Sequence, residues 1–224
     1  MTAASVRRKV SDFMTDLLAK EIAILSNPHI LTSSGSKSTV TWAGGNHVAS
    51  GMFTNFDEAC WREYLDFVRN GVFSTVLFDG SLLQVTYYFH RESVVGHRLC
   101  FYPCPVIFDS EELSNEFFEL SLETMAAVHF FDKSRSRSPL RFEYDPEAAR
   151  SGHPATHLHV NWPSCRIPVK SPVDFSQFLQ FVFQNFYPEI WREHQDGLFN
   201  IGRDSYDVTI QEEENREMHI NWAG

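Results

Sequence analysis

An Asp-Gly dipeptide between two runs rich in Val, Phe and Tyr limits what this chain can fold into. The runs cover residues 72–78 and 81–89, with Asp79 and Gly80 between them. The dipeptide fits a two-residue type I′ turn, in which both central residues need positive φ. The pattern therefore predicts a β-hairpin and, with it, an antiparallel sheet.

Other β-rich runs extend this sheet. A third strand is expected to follow the hairpin across a loop at Gly96, which gives an antiparallel meander. The polar stretch from Ser33 to Ser38 is interpreted as a loop. The predicted strands outside the hairpin are 38–42, 98–102, 140–145, 156–162 and 218–222.

Apolar residues at helical spacing predict helices at 6–25, 56–68, 111–131 and 172–187. The last is the most strongly indicated, because Ser171 fits the N-cap and Pro172 the first helical position. Asp174 suits the positive end of the helix dipole. The Phe-rich surface of this helix is apolar on nearly all sides, so we expect the helix to be buried. Pro188 should end it, with a short helical turn through Trp191 after it.

The length and composition are those of a globular protein. Of 224 residues, 43% are hydrophobic and 21% are charged. Domains typically run from ~50 to ~250 residues, so we predict one domain spanning residues 1–224. The elements together predict an α+β fold, in which a central antiparallel sheet of five or more strands carries the buried Phe-rich helix on one face.

Charge and cysteine content exclude several classes of protein. The formal net charge of −10 disfavours non-specific binding to nucleic acid. No apolar run approaches the ~20 residues that span a bilayer, and the stretch after Lys9 is amphipathic rather than a secretory signal. The four cysteines include no Cys-x-x-Cys pair, which fits reduced thiols. We therefore expect a cytoplasmic protein that does not associate with a membrane.

Alternation along two predicted strands, 140–145 and 156–162, gathers polar side chains on one face of the sheet. The apolar side chains point the other way, and helix 172–187 is expected to cover them. The apolar set is Leu140, Phe142, Tyr144, Leu158, Val160 and Trp162. If the two strands pair as neighbours, the converging polar set is Arg141, Glu143, Asp145, His157, His159 and Asn161. Arg166 follows shortly afterwards, and His153 lies in the connecting loop.

The polar set has three interpretations, of which the first is structural. An antiparallel sheet commonly has one wet face, where polar residues are expected. Arg141, Glu143 and Asp145 would then make ordinary cross-strand ion pairs. On such a face, replacing His157 and His159 by alanine should change the free energy of unfolding by no more than about 0.5 kcal/mol. Loss of the opposite, buried Leu158 side chain should cost roughly 2–5 kcal/mol.

The second interpretation is an acid–base site that cleaves phosphodiesters. His157 and His159 would carry protons, because histidine titrates near neutral pH. Glu143 or Asp145 would orient the imidazole rings. The phosphate would be held by an arginine, for which the sequence offers Arg141 and Arg166.

The third interpretation is a metal site. A His-x-His strand presents two imidazoles to one ion, and Glu143 or Asp145 could complete tetrahedral ligation. No third ligand is fixed by spacing, and the cysteines lack the spacing of a zinc site. We therefore expect no stoichiometric zinc and no cofactor.

Several short motifs stand out between Thr75 and Trp191. They are Asp79-Gly80-Ser81-Leu82-Leu83-Gln84 with Tyr87-Tyr88-Phe89, Tyr102-Pro103-Cys104-Pro105, Arg141-Phe142-Glu143-Tyr144-Asp145, His153-Pro154, His157-Leu158-His159, Cys165-Arg166-Ile167-Pro168-Val169 and Phe186-Tyr187-Pro188. Together they resemble a family of bacterial proteins known only as a domain of unknown function. The arginine–acid strand followed by the His-x-His strand is also similar, more distantly, to the toxin half of some bacterial toxin–antitoxin pairs.

The resemblance implies a bacterial, cytoplasmic protein with a role in phage defence or genome conflict, and it supplies no catalytic residues. Two functions are hypothesised. The first is a phage-defence or toxin-type effector, a metal-independent nuclease that cleaves phosphodiester bonds in a nucleic acid with the face of His157 and His159. The second is a non-catalytic protein that neutralises or scaffolds a protein partner encoded nearby, which suits the acidic balance of the chain.

Overall fold

A nine-stranded antiparallel sheet organises the parts of the chain that the structure, a computed structural model, describes: residues 2–43, 61–107, 138–162 and 164–222. The strands are β1 Ala23–Ser26, β2 His29–Ser34, β3 Lys37–Trp42, β4 Thr75–Leu77, β5 Leu82–His90, β6 Ser93–Tyr102, β7 Leu140–Tyr144, β8 Thr156–Val160 and β9 Ile167–Pro168. Their order is β1-β4-β5-β6-β7-β8-β9, with β2 paired to β3 and β3 to β5. The predicted antiparallel sheet of five or more strands is confirmed.

The helices of the described residues are α1 Ala3–Ala19, α2 Trp61–Arg69, α3 Phe175–Phe186 and α4 Pro188–His194, with a 3-10 turn at Glu214–Arg216. The prediction of a first helix over 6–25 is wrong at its end. The chain reverses after Ala19, with Glu21 at a φ of 57°, and the following residues form β1. The predicted helix 111–131 and the first residues of the predicted helix 56–68 lie outside the described residues. Within the described stretches, no helix has both the length and the apolar character needed to cross a membrane.

The hairpin predicted at Asp79-Gly80 is present, but its turn differs from the prediction. β4 and β5 pair antiparallel, with Thr75 opposite Leu83. Gly80 has a φ of 81°, whereas Asp79 does not have a positive φ, so the type I′ turn is wrong. The Asp79 carboxylate accepts the Ser81 amide proton at 3.0 Å, which supports a longer turn with a single left-handed residue.

The loop predicted at Gly96 is also wrong, because Gly96 lies inside β6, opposite Tyr88. A side-chain carbon at Gly96 would stand 3.1 Å from the Tyr144 carbonyl oxygen and 3.3 Å from the Tyr88 ring. Close packing of neighbouring strands, rather than a turn, therefore requires glycine here. The chain reverses earlier, where Arg91 has a φ of 56°.

Two further strand predictions fail. Residues 29–34, of which 33–34 were interpreted as loop, form β2 and pair in register with β3. The predicted strand 218–222 does not form. Instead, Ile220 makes a single parallel bridge to Val169.

Strands β3 and β4 share one edge of β5, so the sheet forks there. β4 pairs with the start of β5 and β3 with its end. Between the two branches, the Val85 amide donates to the Ser74 hydroxyl at 2.9 Å. The same hydroxyl lies 3.0 Å from His29 Nε2. Ser74 thus joins the two branches through its side chain.

One face of the sheet packs against α1 and α3. Leu158 and Phe142 are buried there, and the Phe142 ring meets that of Phe181 edge-on at 5.0 Å. The predicted cover by the Phe-rich helix is confirmed, although α3 keeps an exposed edge on which Phe186 is 43% exposed. The N-cap of α3 is Asp174, not Ser171 as predicted, and forms a capping box with Gln177.

The opposite face carries a second apolar cluster under α2. Tyr64 and Phe67 of α2 pack against Tyr102, and Cys100 belongs to the same cluster. Both faces of the sheet are therefore covered at this end. Four of the predicted functional side chains, Arg141, Glu143, His157 and His159, lie on this second face, on β7 and β8.

Candidate functional site

The register of three strands brings the predicted polar side chains together. Arg141 on β7 lies opposite His159 on β8, and Glu143 lies opposite His157. The condition for convergence, that these two strands pair as neighbours, is met. On the other side of β7, Arg98 of β6 lies opposite Glu143. These five residues, called the Glu143 cluster below, share one face of the sheet.

The Glu143 carboxylate is the centre of the cluster. Its Oε1 accepts a hydrogen bond from Arg98 Nε at 3.0 Å, and its Oε2 lies 3.1 Å from Arg141 Nη2. The same Oε2 is 3.4 Å from His159 Nε2 and 3.9 Å from His157 Nε2. Burial alone would raise the pKa of Glu143. The hydrogen bond from His159 and the charges of the two arginines outweigh it and hold the pKa well below its ordinary value.

The tautomer of His157 follows from its partners. Its Nδ1 lies 2.7 Å from the Pro154 carbonyl oxygen, which can only accept, so Nδ1 carries the proton. The pKa of His157 is lowered to about 3, first by burial and then by His159, so the ring is neutral. Its Nε2 therefore presents a lone pair, 2.9 Å from His159 Nε2. Burial also lowers the pKa of His159.

Four of the five residues of the cluster are buried, which corrects the expectation of a wet face. The exposed fractions are 0% for His157, 2% for His159, 6% for Arg141 and 9% for Glu143. The rule of one wet face fails because this sheet is packed on both sides. Cys100, the neighbour of Arg141 on β6, already belongs to the apolar cluster under α2.

Two of the six predicted site residues do not join the cluster directly. Asp145 follows the end of β7, where its Oδ1 accepts the Ala148 amide proton at 3.2 Å. No hydrogen bond or ion pair among the described residues links Asp145 to either histidine. Arg166 lies on the segment before β9, and its charge lowers the pKa of His159 only as a minor contribution after burial. The buried Nε of Arg166 has no hydrogen-bond partner within the described part of the chain.

Sequence reasoning missed Arg98 as a member of the site. Its strand was recognised, but alternation within one strand does not say which residue faces Glu143 across the next. His153 was noticed only as a loop residue. In the structure the centre of its ring lies 5.0 Å from that of His157, which itself lies 4.6 Å from the centre of the His159 ring. Three imidazoles thus lie in succession, and two of them, His157 and His159, lie beside Glu143.

Two clefts border the Glu143 cluster. The first, of about 530 Å³, is lined by Arg98 and Glu143 and also by Asp145. The second, of about 660 Å³, is lined by His153 and Arg166. Ligands in either cleft therefore meet a residue of the cluster or one that adjoins it.

The prediction that Trp162 lies on the apolar face under helix 172–187 is wrong. The chain leaves β8 at Asn161, which has a φ of 62°, and Trp162 is 61% exposed.

The comparisons with known proteins give a family and nothing more. A family model described as "Uncharacterized conserved protein (DUF2290)" matches residues 19–222, which include the whole Glu143 cluster. No curated protein and no solved structure matches the chain. The match confirms the resemblance to a domain of unknown function that the motifs between Thr75 and Trp191 indicated.

Proposed function

The chain belongs to the DUF2290 family of uncharacterized conserved proteins, and we propose that it is an effector that cleaves phosphodiester bonds in nucleic acid at the Glu143 cluster. The observation that carries the proposal is the meeting of two neutral imidazoles with a carboxylate that two arginines hold. Hydrolysis needs a group that activates water and cations that bind the phosphate. The Glu143 cluster contains both kinds of group, and they contact one another.

The arginines are the phosphate-binding part of this proposal. Arg98 and Arg141 place two guanidinium groups against the Glu143 carboxylate. A guanidinium binds phosphate oxygens through two parallel N–H groups. Arg166, whose buried Nε has no hydrogen-bond partner among the described residues, adds a third guanidinium on the wall of the second cleft.

The histidines are the water-activating part. His157 is fixed by the Pro154 carbonyl, so its Nε2 lone pair points steadily at His159. Such a pair activates water either by taking its proton or by holding a metal ion. Both routes use the same nitrogens, and Glu143 serves each of them, as the partner of His159 or as a ligand.

Access is the main constraint on this mechanism. The histidines are at most 2% exposed, so a substrate does not reach them directly in this conformation. Arg98 and Glu143, with 24% and 12% of their side chains exposed, line the first cleft and offer the entry. A phosphate in that cleft contacts the arginine first, and the histidines lie behind Glu143.

The setting that we propose is a bacterial cytoplasm, in a phage-defence or toxin–antitoxin locus with a partner encoded nearby. The resemblance of the β7–β8 motif to toxins supports this setting.

A second function, as a non-catalytic protein that neutralises or scaffolds a partner, draws on a different observation. The cluster is almost fully closed, and the chain is acidic overall, with a net charge of −10. Buried polar networks of this kind also serve to specify a core.

The test compares the wild-type chain with His159→Gln and with His219→Ala, which changes a partly exposed histidine outside the cluster. Each protein is purified and incubated with labelled single-stranded and double-stranded RNA and DNA, and each is expressed in cells while growth is followed. We expect cleavage and growth arrest with the wild type and His219→Ala, and neither with His159→Gln. If folded wild-type protein cleaves none of these substrates and expression does not slow growth, the phosphodiesterase proposal fails and the partner-binding function replaces it.

A further inference from the structure

The geometry points to a site for one divalent transition-metal ion, of which zinc is the best match, between His157 Nε2, His159 Nε2 and Glu143 Oε2. This site deepens the proposed function, because a bound ion would activate the attacking water. Its role in cleavage rests on that function, whereas binding of the ion rests on the geometry alone. The three ligand atoms all lie within 4.8 Å of one another.

The separations of the three atoms fit a single ion. The two nitrogens are 2.9 Å apart, and the carboxylate oxygen is 3.4 Å from one and 3.9 Å from the other. The circle through three points with these separations has a radius of about 2.0 Å, which matches zinc bonds of ~2.0–2.2 Å to imidazole and carboxylate. An ion at or just off the plane of the three atoms would therefore reach all of them without movement of the backbone.

The second observation is the partner of His157 on the far side of its ring. A metal-bound histidine almost always donates its other ring N–H to a carbonyl or carboxylate, which fixes the tautomer. His157 does this through Nδ1 to the Pro154 carbonyl at 2.7 Å. The backbone thus leaves Nε2 unprotonated, in the form that a metal requires.

The donor set selects the class of ion. Two imidazoles and one carboxylate suit zinc and other first-row transition metals, whereas magnesium and calcium prefer oxygen ligands. Three protein ligands also leave a fourth position for water, as in catalytic zinc sites. The sequence-based expectation of no stoichiometric zinc assumed that no third ligand was fixed. The register of β7 and β8 fixes Glu143.

The positive charges of Arg98 and Arg141 oppose binding of the ion and lower its affinity. Arg141 Nη2 lies 3.1 Å from the same Oε2 that would bind the metal, and Arg98 holds Oε1. Their charges weaken binding of a cation in a buried site. A bound ion would add positive charge beside the two guanidinium groups, and an anion such as a phosphodiester would offset it. The arginines therefore tune a metal site toward binding a phosphate.

The binding test uses the full chain without a histidine tag, stripped of metal with a chelator. Zn²⁺ is titrated by calorimetry, and Co²⁺ is added to read its visible absorption bands. We expect one ion per chain and Co²⁺ bands typical of nitrogen and oxygen ligands. His157→Asn keeps a donor for the Pro154 carbonyl but removes the ligand nitrogen, and it should lower the affinity more than about 100-fold. His159→Gln should do the same.

Two controls separate a built site from surface binding. His219→Ala and Asp145→Asn lie outside the three ligands and should bind with unchanged affinity. Arg98→Gln should bind zinc more tightly than the wild type, because it removes an opposing charge. Circular dichroism and thermal unfolding identify any variant that has not folded. If one histidine variant does not fold, the zinc affinity of the other histidine variant is the test.

The outcomes for metal and for function remain distinguishable. Absence of binding by the wild-type chain, or equal binding by folded His157→Asn, overturns the metal site. Cleavage of nucleic acid that persists in excess chelator also overturns its role. One ion per chain that requires His157 and His159, in a protein that cleaves nothing, supports the site and refutes the phosphodiesterase function.

Discussion

The Nε2 atoms of His157 and His159 lie 2.9 Å apart in the interior of the protein, where neither side chain is more than 2% exposed. Two imidazole lone pairs that face each other at this distance repel, so a positive centre must lie between them. Because the Pro154 carbonyl fixes the tautomer of His157, that centre is either the proton of His159 or a metal ion.

Zinc should stabilise the wild-type protein against heat. An ion that binds only the folded state adds about 2.7 kcal/mol when its free concentration is 100 times the dissociation constant. We expect the melting temperature to rise with added Zn²⁺ and to return on addition of a chelator. The measurement is thermal unfolding by circular dichroism, with His157→Asn as the control. A rise of equal size in that variant would mean that zinc acts elsewhere.

Glu143→Gln should destabilise the fold strongly. The substitution leaves Arg98 and Arg141 without their carboxylate inside the protein, and breaking a buried ion pair costs about 3–5 kcal/mol. Asp145→Asn, two residues away at the end of β7, should change stability by less than about 1 kcal/mol. Urea unfolding of both variants gives the comparison. Similar stabilities of the two would show that the charge network contributes little.

Burial changes the expectation for the double substitution His157→Ala with His159→Ala. The wet-face interpretation predicted almost no loss. Removal of two buried rings that contact Glu143 and the Pro154 carbonyl should instead cost more than about 2 kcal/mol. Leu158→Ala, which removes a side chain from the opposite face, should still cost roughly 2–5 kcal/mol. A double mutant as stable as the wild type in urea would contradict the buried position of both histidines.

Stability should fall as the solution is acidified below neutral pH. Burial lowers the pKa of His29 to about 4 and that of His97 to about 3, against 6.5 for an ordinary histidine. His97 Nε2 also accepts the Val173 amide proton at 2.9 Å, which requires the neutral ring. Below pH 6.5 the unfolded chain takes up these protons and the folded chain does not, so each histidine lowers stability by up to about 1.4 kcal/mol per pH unit.

The pH window follows from the two pKa values. The contribution of His29 is present above pH 6.5 and is lost as the pH falls to about 4, and that of His97 is lost down to about 3. Urea unfolding in steps from neutral pH to about pH 5 measures the slope. His29→Gln, which keeps a polar partner for Ser74, should have a shallower slope than the wild type. Equal slopes would mean that His29 titrates normally in the folded protein.

Local patterns in the sequence predicted much of the fold. The β4–β5 hairpin, the neighbouring strands β7 and β8 and the Phe-rich helix all came from features within about twenty residues of one another. Alternation correctly placed Arg141 and Glu143 on the face of the histidines, and Leu158 on the opposite face. These placements depend only on the alternation of side chains along a single strand, which has a period of two residues.

The failures share a different cause, since each depends on what a distant part of the chain contributes. Arg98 joins the site only through the register of β6 against β7, which no local pattern specifies. The burial of His157 depends on packing across the second face of the sheet. Gly96 looked like a turn residue, and its reason for being glycine is the backbone of Tyr144, 48 positions along the chain.

The fork in the sheet affects where the folded protein can open locally. At the seam between the two branches, the Val85 amide is protected from solvent by a side chain, the Ser74 hydroxyl, instead of by a neighbouring backbone carbonyl. Hydrogen exchange at this amide therefore reports on the junction alone. In Ser74→Ala it should exchange sooner than the amides on either side, because the branches can separate there while each keeps its own backbone ladder to β5.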